Sequence, residues 1–591
     1  MLEKNIQSLL NSGLDLFNKK EFNQAELIYK EILRLDKKNA EAYCALGTIA
    51  AIRSKYKDAL NYLNITIKLQ PQNFYAHNNI GTIFFSFEKF NEAIEHYTKS
   101  LIIKPDYLNS LYMRGLAYER KKNLILAIKD YYKIKKFFPD DMFIDGVILL
   151  AKAKICSWNN YTYQLNKLIK KIKNKILAWE PLTSVILQNS LEIQKTTTEL
   201  YVKEKSQKLK DIFIYKKNEG KIKIGYFSSD FYSHAVSLLI SKVFELHNKD
   251  KFTFFGFSLF KPPFEDKTYE KIKGYFNQFI EMENMTDGEI INIIRSHKID
   301  IAIDLNGFTS RNRFNIFFNR IAPIQVNYLG YPGTMGFENM DYIIADKIII
   351  PESHKIFYKE KIIFMPDTYQ ATDNTRKISD RIFTKDELGL PEKNFIYGCF
   401  NSSFKITPEI FKIWINILKK VKDSTLWLLF SNNEVVNNLK KELTKNSISE
   451  DRLVFAEGME NSLHLARLKK ADLILDTLPY NGHTTTSDAL WAGVPVLTCI
   501  GETFAGRVSA SLLHACNMQE LITNNLQEYE DLAVNLAIDK MKINKFKNHL
   551  SSKKSLNLFN SELFTKNLEK AYETIYHNHN LGISKKDIYI N

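Results

Sequence analysis

The chain reads as an all-helical repeat superhelix followed by α/β, with two α/β units facing each other across a cleft. Three observations lead there. Gly13, Gly47, Gly81 and Gly115 recur every 34 residues. Beyond about residue 220, short apolar runs begin to alternate with amphipathic ones. Gly389 and Pro391 then punctuate that alternation and start it a second time.

The repeats come first. Ala25, Ala59, Ala93 and Ala127 each follow a repeat glycine by twelve residues, and Pro71, Pro105 and Pro139 keep the same period. Small residues at two fixed places let paired helices approach closely, and the proline stops the second of each pair. This is the tetratricopeptide pattern over residues 1–141, which stacks into a superhelix with a concave groove suited to a peptide or protein. A spacer or dimer surface is the alternative use. Residues 142–217 are helical but aperiodic, interrupted at Pro181 and at Thr196–Thr198, and read as a connector in which Cys156 and Trp158 pack.

The first α/β half is expected over 218–386. Its strands run from Lys221 to Phe227, Ile299 to Leu305, Met340 to Asp346 and Lys361 to Pro366. The second half, 387–591, carries strands at 394–400, 424–430, 452–455, 471–476 and 495–500 with helices between. Such alternation means parallel sheets wrapped by helices, with ligands at the carboxyl ends of the strands. Neither GxGxxG nor GxxxxGK[ST] occurs, which argues against a dinucleotide oxidoreductase or a P-loop NTPase.

Composition narrows the class. Hydrophobic residues at 45% and charged residues at 25% describe an ordinary globular protein. No apolar run approaches the ~18–20 residues that cross a bilayer. The opening Met1-Leu-Glu-Lys-Asn-Ile lacks the pattern of a signal peptide. The five cysteines are scattered without a CxxC pair. A cytoplasmic protein with no disulfide frame or structural zinc is expected. The net charge of +15 is spread evenly, with no basic stripe interleaved with aromatics, so no nucleic-acid partner is expected.

The segment Asn481-Gly-His-Thr-Thr-Thr-Ser-Asp488 is the most informative. It lies between a buried-strand pattern, 471–477, and a helical one from Asp488 to Ala492. A strand turning through hydroxyl residues into a helix leaves free N–H groups and partial positive charge at one point, which suits a diphosphate. His483, Thr484 and Thr485 add donors, and Asp488 can accept from a sugar hydroxyl. The same turn is also what a hydroxyl-capped helix looks like.

Six ordered motifs bear on that choice: Ser228-Ser-Asp-Phe-x-x-His234, Ala322-Pro-Ile-Gln325, Leu329-Gly-Tyr-Pro-Gly-Thr334, Phe400-Asn-x-x-x-Lys405, Asn481-Gly-His-Thr-Thr485 and Gly501-Glu-Thr-x-x-x-Arg507. Together with the repeats, residues 218 to 575 resemble the O-linked N-acetylglucosamine transferase family, glycosyltransferase family 41. The resemblance implies two Rossmann-like halves of GT-B type and an inverting, metal-independent transfer. The sugar, N-acetylglucosamine from UDP-GlcNAc, goes to Ser or Thr of a protein acceptor bound through the repeats. No cofactor is implied beyond the nucleotide-sugar donor. It assigns Lys405, His483, Thr484 and Thr485 to the diphosphate, Asp488 to the ribose and His464 to the uracil. His234 becomes a catalytic base or a positioning residue. Alternatives are UDP-glucose or GDP-fucose as donor, or an inactive repeat scaffold. Three departures stand out. Tyr480 replaces a smaller residue beside the N-acyl group, Ser402 replaces a glutamine, and the groove asparagines survive at Asn11 and Asn79 but are Ala45 and Met113 elsewhere.

Overall fold

The computed structural model describes residues 2–209, 213–214, 220–262, 264–283 and 285–591. The expected junction between connector and first α/β half, at 217–218, lies outside the described residues. The described chain forms two compact units. One is built from the residues up to Ala151 together with 285–286, and the other from Lys152–Glu283 and Asp287–Asn591.

In the first unit, helices Leu2–Asn18 and Phe22–Leu35, Ala40–Ile52 and Tyr56–Leu69, Phe74–Ser86 and Phe90–Ile103, and Leu108–Arg120 and Leu124–Phe137 form successive pairs. The repeat glycines let the two helices of a pair close up. A Cβ on Gly81 would sit 2.8 Å from the Tyr97 ring, and one on Gly47 2.7 Å from Leu63. The repeat alanines are fully buried. Asn39, Asn73 and Asn123 cap helix starts by accepting from Ala42 N, Ala76 N and Leu126 N. The turn inside each pair carries its own mark of the period: Lys20, Ser54, Glu88 and Lys122 have φ of 61°, 57°, 59° and 59°. Of the two groove asparagines, Asn79 already donates to Thr48 Oγ1 at 2.8 Å, while Asn11 accepts from Gln7 at 3.4 Å.

The second unit holds two sheets. The first comprises β1 Ile222–Ser228, β2 Phe252–Ser258, β3 Gln278–Glu281, β4 Ile301–Asp304, β5 Ile324–Asn327, β6 Tyr342–Asp346 and β7 Lys361–Met365. The second comprises β8 Phe395–Cys399, β9 Ser424–Leu429, β10 Leu453–Ala456, β11 Leu473–Leu475, β12 Val496–Cys499 and β13 Ile522–Thr523. A last short strand, β14 Ile588–Tyr589, returns to the edge of the first sheet beside β7. The sheet orders are 14-7-6-5-4-1-2-3 and 10-9-8-11-12-13, and the pairings are parallel. Each order reverses beside its first strand, between β1 and β4 and between β8 and β11. Ligands bind at such switch points, outside the carboxyl ends of the strands. The sequence motifs after β1, β8 and β11 fall there. This is the two-sheet GT-B arrangement.

The second unit is stapled by long-range contacts. The helix Ser561–Asn580 leaves the second sheet and packs on the first. There Tyr572 Oη meets Tyr226 Oη at 2.9 Å and Glu569 faces His247 at 3.0 Å. The connector packs on the second half: Ser403 Oγ donates to Lys154 O at 2.7 Å, and Cys156 Sγ donates to Ser403 O at 3.6 Å. Thr196–Thr198 do not interrupt a helix as their run of β-branched residues suggests. They lie buried inside helix Leu191–Lys205, where Thr198 Oγ1 bonds back to Gln194 O at 2.9 Å and Thr197 accepts from Trp179 at 3.1 Å. Among the described residues no helix is long and apolar enough to cross a membrane.

Candidate active site

The turn after β11 is built from the strand end outward. Asp476, fully enclosed, accepts from Gly482 N at 2.6 Å and from Thr498 Oγ1 at 2.7 Å. Asn481 N donates to Ala505 O at 2.9 Å, and Ser509 Oγ donates to Gly482 O at 2.9 Å. Gly482 is required by space, since a Cβ there would lie 2.5 Å from Thr486 Oγ1 and 2.6 Å from Thr485 Oγ1. The helix begins at Thr484, four residues earlier than its apolar run indicates, and ends at Ala492 with Gly493 in the left-handed conformation. Thr484 and Thr485 therefore form its first turn, where backbone N–H groups have no intrahelical acceptor. Thr485 Oγ1 donates to Asn401 Oδ1, whose Nδ2 reaches Thr477 Oγ1 at 2.8 Å. Asn401 comes from the loop after β8, so this bond ties the two switch-point loops together.

Lys405 ends a short 3-10 turn, Ser403–Lys405, in that same loop. Its Nζ donates to Asn481 O at 2.7 Å and lies 3.8 Å above the Tyr480 ring. Burial pulls the ammonium down to about 8, and the Asp476 carboxylate, with the Cys399 thiol, opposes a further fall. The Tyr480 and His483 rings are 4.9 Å apart, and His483 Nε2 lies 3.3 Å from Ala505 O. Burial, reinforced by the Lys405 charge, holds His483 well below its ordinary value, so the imidazole is neutral near pH 7. Burial likewise pushes the Tyr480 phenol up to about 12. Lys405, Tyr480 and His483 thus form one cluster at the mouth of a helix N-terminus.

His464 stands on the preceding helix, Asn461–Leu468, edge-on to Phe400 with ring centroids 5.0 Å apart. Arg467 Nε donates to His464 Nδ1 at 3.0 Å, which leaves the ring proton on Nε2. Burial, with the Arg467 charge adding to it, lowers this imidazole to about 4. Arg467 was visible only as the residue one helical turn after His464, where a partner is expected. Asp488 sits one turn below Thr484 and pairs with Arg376, both side chains nearly enclosed at 8% and 5% exposure. Burial raises its carboxyl, and Arg376 opposes the rise.

His234 is placed apart. It caps helix Ala235–Leu246 after β1, and its Nδ1 lies 3.4 Å from Val236 N and 3.8 Å from Asp230 Oδ2. Asn306, from the loop after β4, donates to Asp230 Oδ2 at 2.9 Å. Burial raises the Asp230 carboxyl, and His234, Asn306 and Arg311 draw it back. Among the described residues His234 makes no hydrogen bond or ring contact with the other six candidates. Asp230, Asn306, Arg376, Asn401 and Asp476 complete the two switch points, and sequence reasoning had given none of them a role.

The sequence matches glycosyl transferase family 41 over residues 155–381 and 371–568, and a tetratricopeptide repeat over 74–107. It is 37% identical over 378 residues to the probable UDP-N-acetylglucosamine–peptide N-acetylglucosaminyltransferase SEC of Arabidopsis thaliana, covering 62% of this chain and 38% of that protein. It is 26% identical over 515 residues to a UDP-N-acetylglucosamine–peptide N-acetylglucosaminyltransferase of Caenorhabditis elegans, covering 65% and 44%. The chain thus spans less than half the length of these relatives. Among solved structures, an O-GlcNAc transferase mutant of Thermobaculum terrenum superposes with a TM-score of 0.69 at 21% identity, covering 92% of this chain and 98% of that one, which shows a shared fold. The family match takes in well over half of the sequence and every switch-point loop, and the chain belongs to glycosyl transferase family 41.

Proposed function

We propose that this chain is a protein O-glycosyltransferase that moves N-acetylglucosamine from UDP-GlcNAc to Ser or Thr side chains, with inversion at the anomeric carbon. The observation that carries this reading is the half-buried Lys405 ammonium, fixed between Asn481 O and the Tyr480 ring where the helix Thr484–Ala492 begins. A positive charge and free N–H groups there face the site where a diphosphate leaving group gathers negative charge. His483, Thr484 and Thr485 supply further donors to it, His464 the face for the uracil, and Asp488 an acceptor for ribose hydroxyls.

The acceptor hydroxyl attacks from the side of the first sheet. His234 receives its proton in this scheme, and the Asp230 carboxyl 3.8 Å from its Nδ1 favours the imidazolium that forms. The tetratricopeptide unit presents the protein acceptor. The scheme needs no metal. The free cysteines and the nucleotide-sugar donor suit a reducing cytoplasm.

Tyr480 favours a second donor. Its ring, half-buried against Lys405 and His483, takes space beside the sugar and suits UDP-glucose. A donor panel with product mass, run in EDTA, tests both readings. UDP-GlcNAc is expected ahead of UDP-glucose, with GDP-fucose unused. Preference for UDP-glucose or GDP-fucose would overturn the choice of sugar, and loss of transfer in EDTA would overturn the metal-free scheme.

A further inference from the structure

The segment that crosses from the first sheet to the second lies along the candidate nucleoside end of the site. Arg376 is its centre. One guanidinium nitrogen, Nη1, pairs with Asp488 Oδ1, and Nη2 reaches Ser487 Oγ at 3.4 Å. Its Nε turns back to Asp373 O at 3.2 Å, and its own carbonyl accepts from Trp491 Nε1 at 3.1 Å. Three residues on, Ser379 N donates to Ser462 O at 3.1 Å, at the start of the helix that carries His464. A single strap is therefore sewn to both helices that bear the ribose and base candidates.

The pairing is one-sided in a useful way. Arg376 occupies Oδ1 of Asp488, and Oδ2 has no hydrogen-bond partner among the described residues. Arg376 opposes the rise that burial imposes on this carboxyl, and its hold on one oxygen restrains the rotation of the group. The remaining oxygen is an oriented acceptor on the same helical face as Thr484, four residues before it. A pair of vicinal hydroxyls next to a diphosphate is the chemistry that such an acceptor recognises.

We propose that Arg376 is a positioning residue for the ribose of the donor, acting through Asp488. This rests on the nucleotide-sugar reading above and adds to it the source of the ribose contact. Arg376 orients Asp488 and does not touch the reacting atoms. Its loss changes donor recognition at the ribose without changing discrimination among sugars.

The test compares binding of UDP and of 2′,3′-dideoxy-UDP by calorimetry to the full chain and to Arg376→Ala and Arg376→Lys. The unsubstituted protein is expected to prefer UDP on the order of tenfold, the value of a hydrogen bond to a charged group. Arg376→Ala should bring the two nucleotides to near equality, with the affinity for dideoxy-UDP retained. Arg376→Lys keeps a charge beside Asp488 but loses the planar group whose other nitrogens are anchored on Ser487 Oγ and Asp373 O, and should recover part of the preference. Where Arg376→Ala does not fold, the lysine variant decides, and an undiminished preference in it overturns the proposal. Equal weakening of both nucleotides, with the preference intact, also overturns it, because that is what general damage to the strap would produce. Equal binding of both nucleotides by the unsubstituted protein removes the ribose role of Asp488. Binding of neither removes the nucleotide-sugar reading itself.

Discussion

Replacing Lys405 by methionine separates the stability of this site from its chemistry. The ammonium has fallen from 10.5 to about 8, chiefly by burial, which corresponds to about 3 kcal/mol of disfavoured charge near neutral pH. Its bond to Asn481 O, as a hydrogen bond from a charged group, returns ~1.5–3 kcal/mol. The two nearly cancel, so Lys405→Met should melt no lower than the unsubstituted protein in the absence of donor. Turnover should nevertheless fall by about 10²–10³, the usual loss when one preorganised contact to developing charge is removed. The pH dependence carries a second signature. Between about 8 and 10.5 the unfolded chain keeps a proton that the folded lysine has released, so this group's contribution to stability rises with pH across that window. Below about 8 the penalty is fully present, and Lys405→Met should abolish the slope. In the unsubstituted protein kcat/KM should fall as pH rises through about 8, while kcat, measured with the diphosphate bound, stays flatter. Scanning calorimetry and a pH–rate series measure these quantities. A methionine variant that turns over normally, or melts far lower while keeping activity, refutes the assignment of Lys405 to the leaving group.

Three further outcomes are expected. Tyr480→Ala should improve the use of donors with enlarged N-acyl groups, changing discrimination by ~1–3 kcal/mol in a competition assay. An unchanged ratio would place the ring away from the sugar. Gly81→Ala forces a methyl to 2.8 Å from the Tyr97 ring and should cost ~1–3 kcal/mol in denaturant unfolding of the repeats. Deleting residues 1–139 should impair modification of a folded protein acceptor while UDP affinity, read by calorimetry, persists. Equal modification would make the repeats a spacer or assembly surface.

What the sequence could determine was set by short-range physics. The 34-residue register of glycines and alanines was legible because paired helices touch through residues at fixed, local separations. The strand–turn–helix at Asn481–Thr485 was legible for the same reason, and so was the alternation from Phe395 to Cys499. The boundary of the helix at Thr484 was not, because threonines carry little apolar periodicity and the first turn is held from outside, by the bond from Thr485 to Asn401. Strands β2, β3, β5 and β13 were not singled out, and β14 is a two-residue strand that exists only because the edge of β7 is there to receive it. The site shows the same division. Motif order named Lys405, His464, His483 and Asp488, but nothing in the order of residues places Lys405 over Tyr480 or lowers its ammonium. Arg376 lies 112 residues from Asp488, and Cys156 lies 247 from Ser403. At such separations chain connectivity carries no information about contact. Only the folded second sheet, with the loops of its switch point closed on each other and the connector and crossing segment packed against it, brings these groups together, encloses them and so sets their charges.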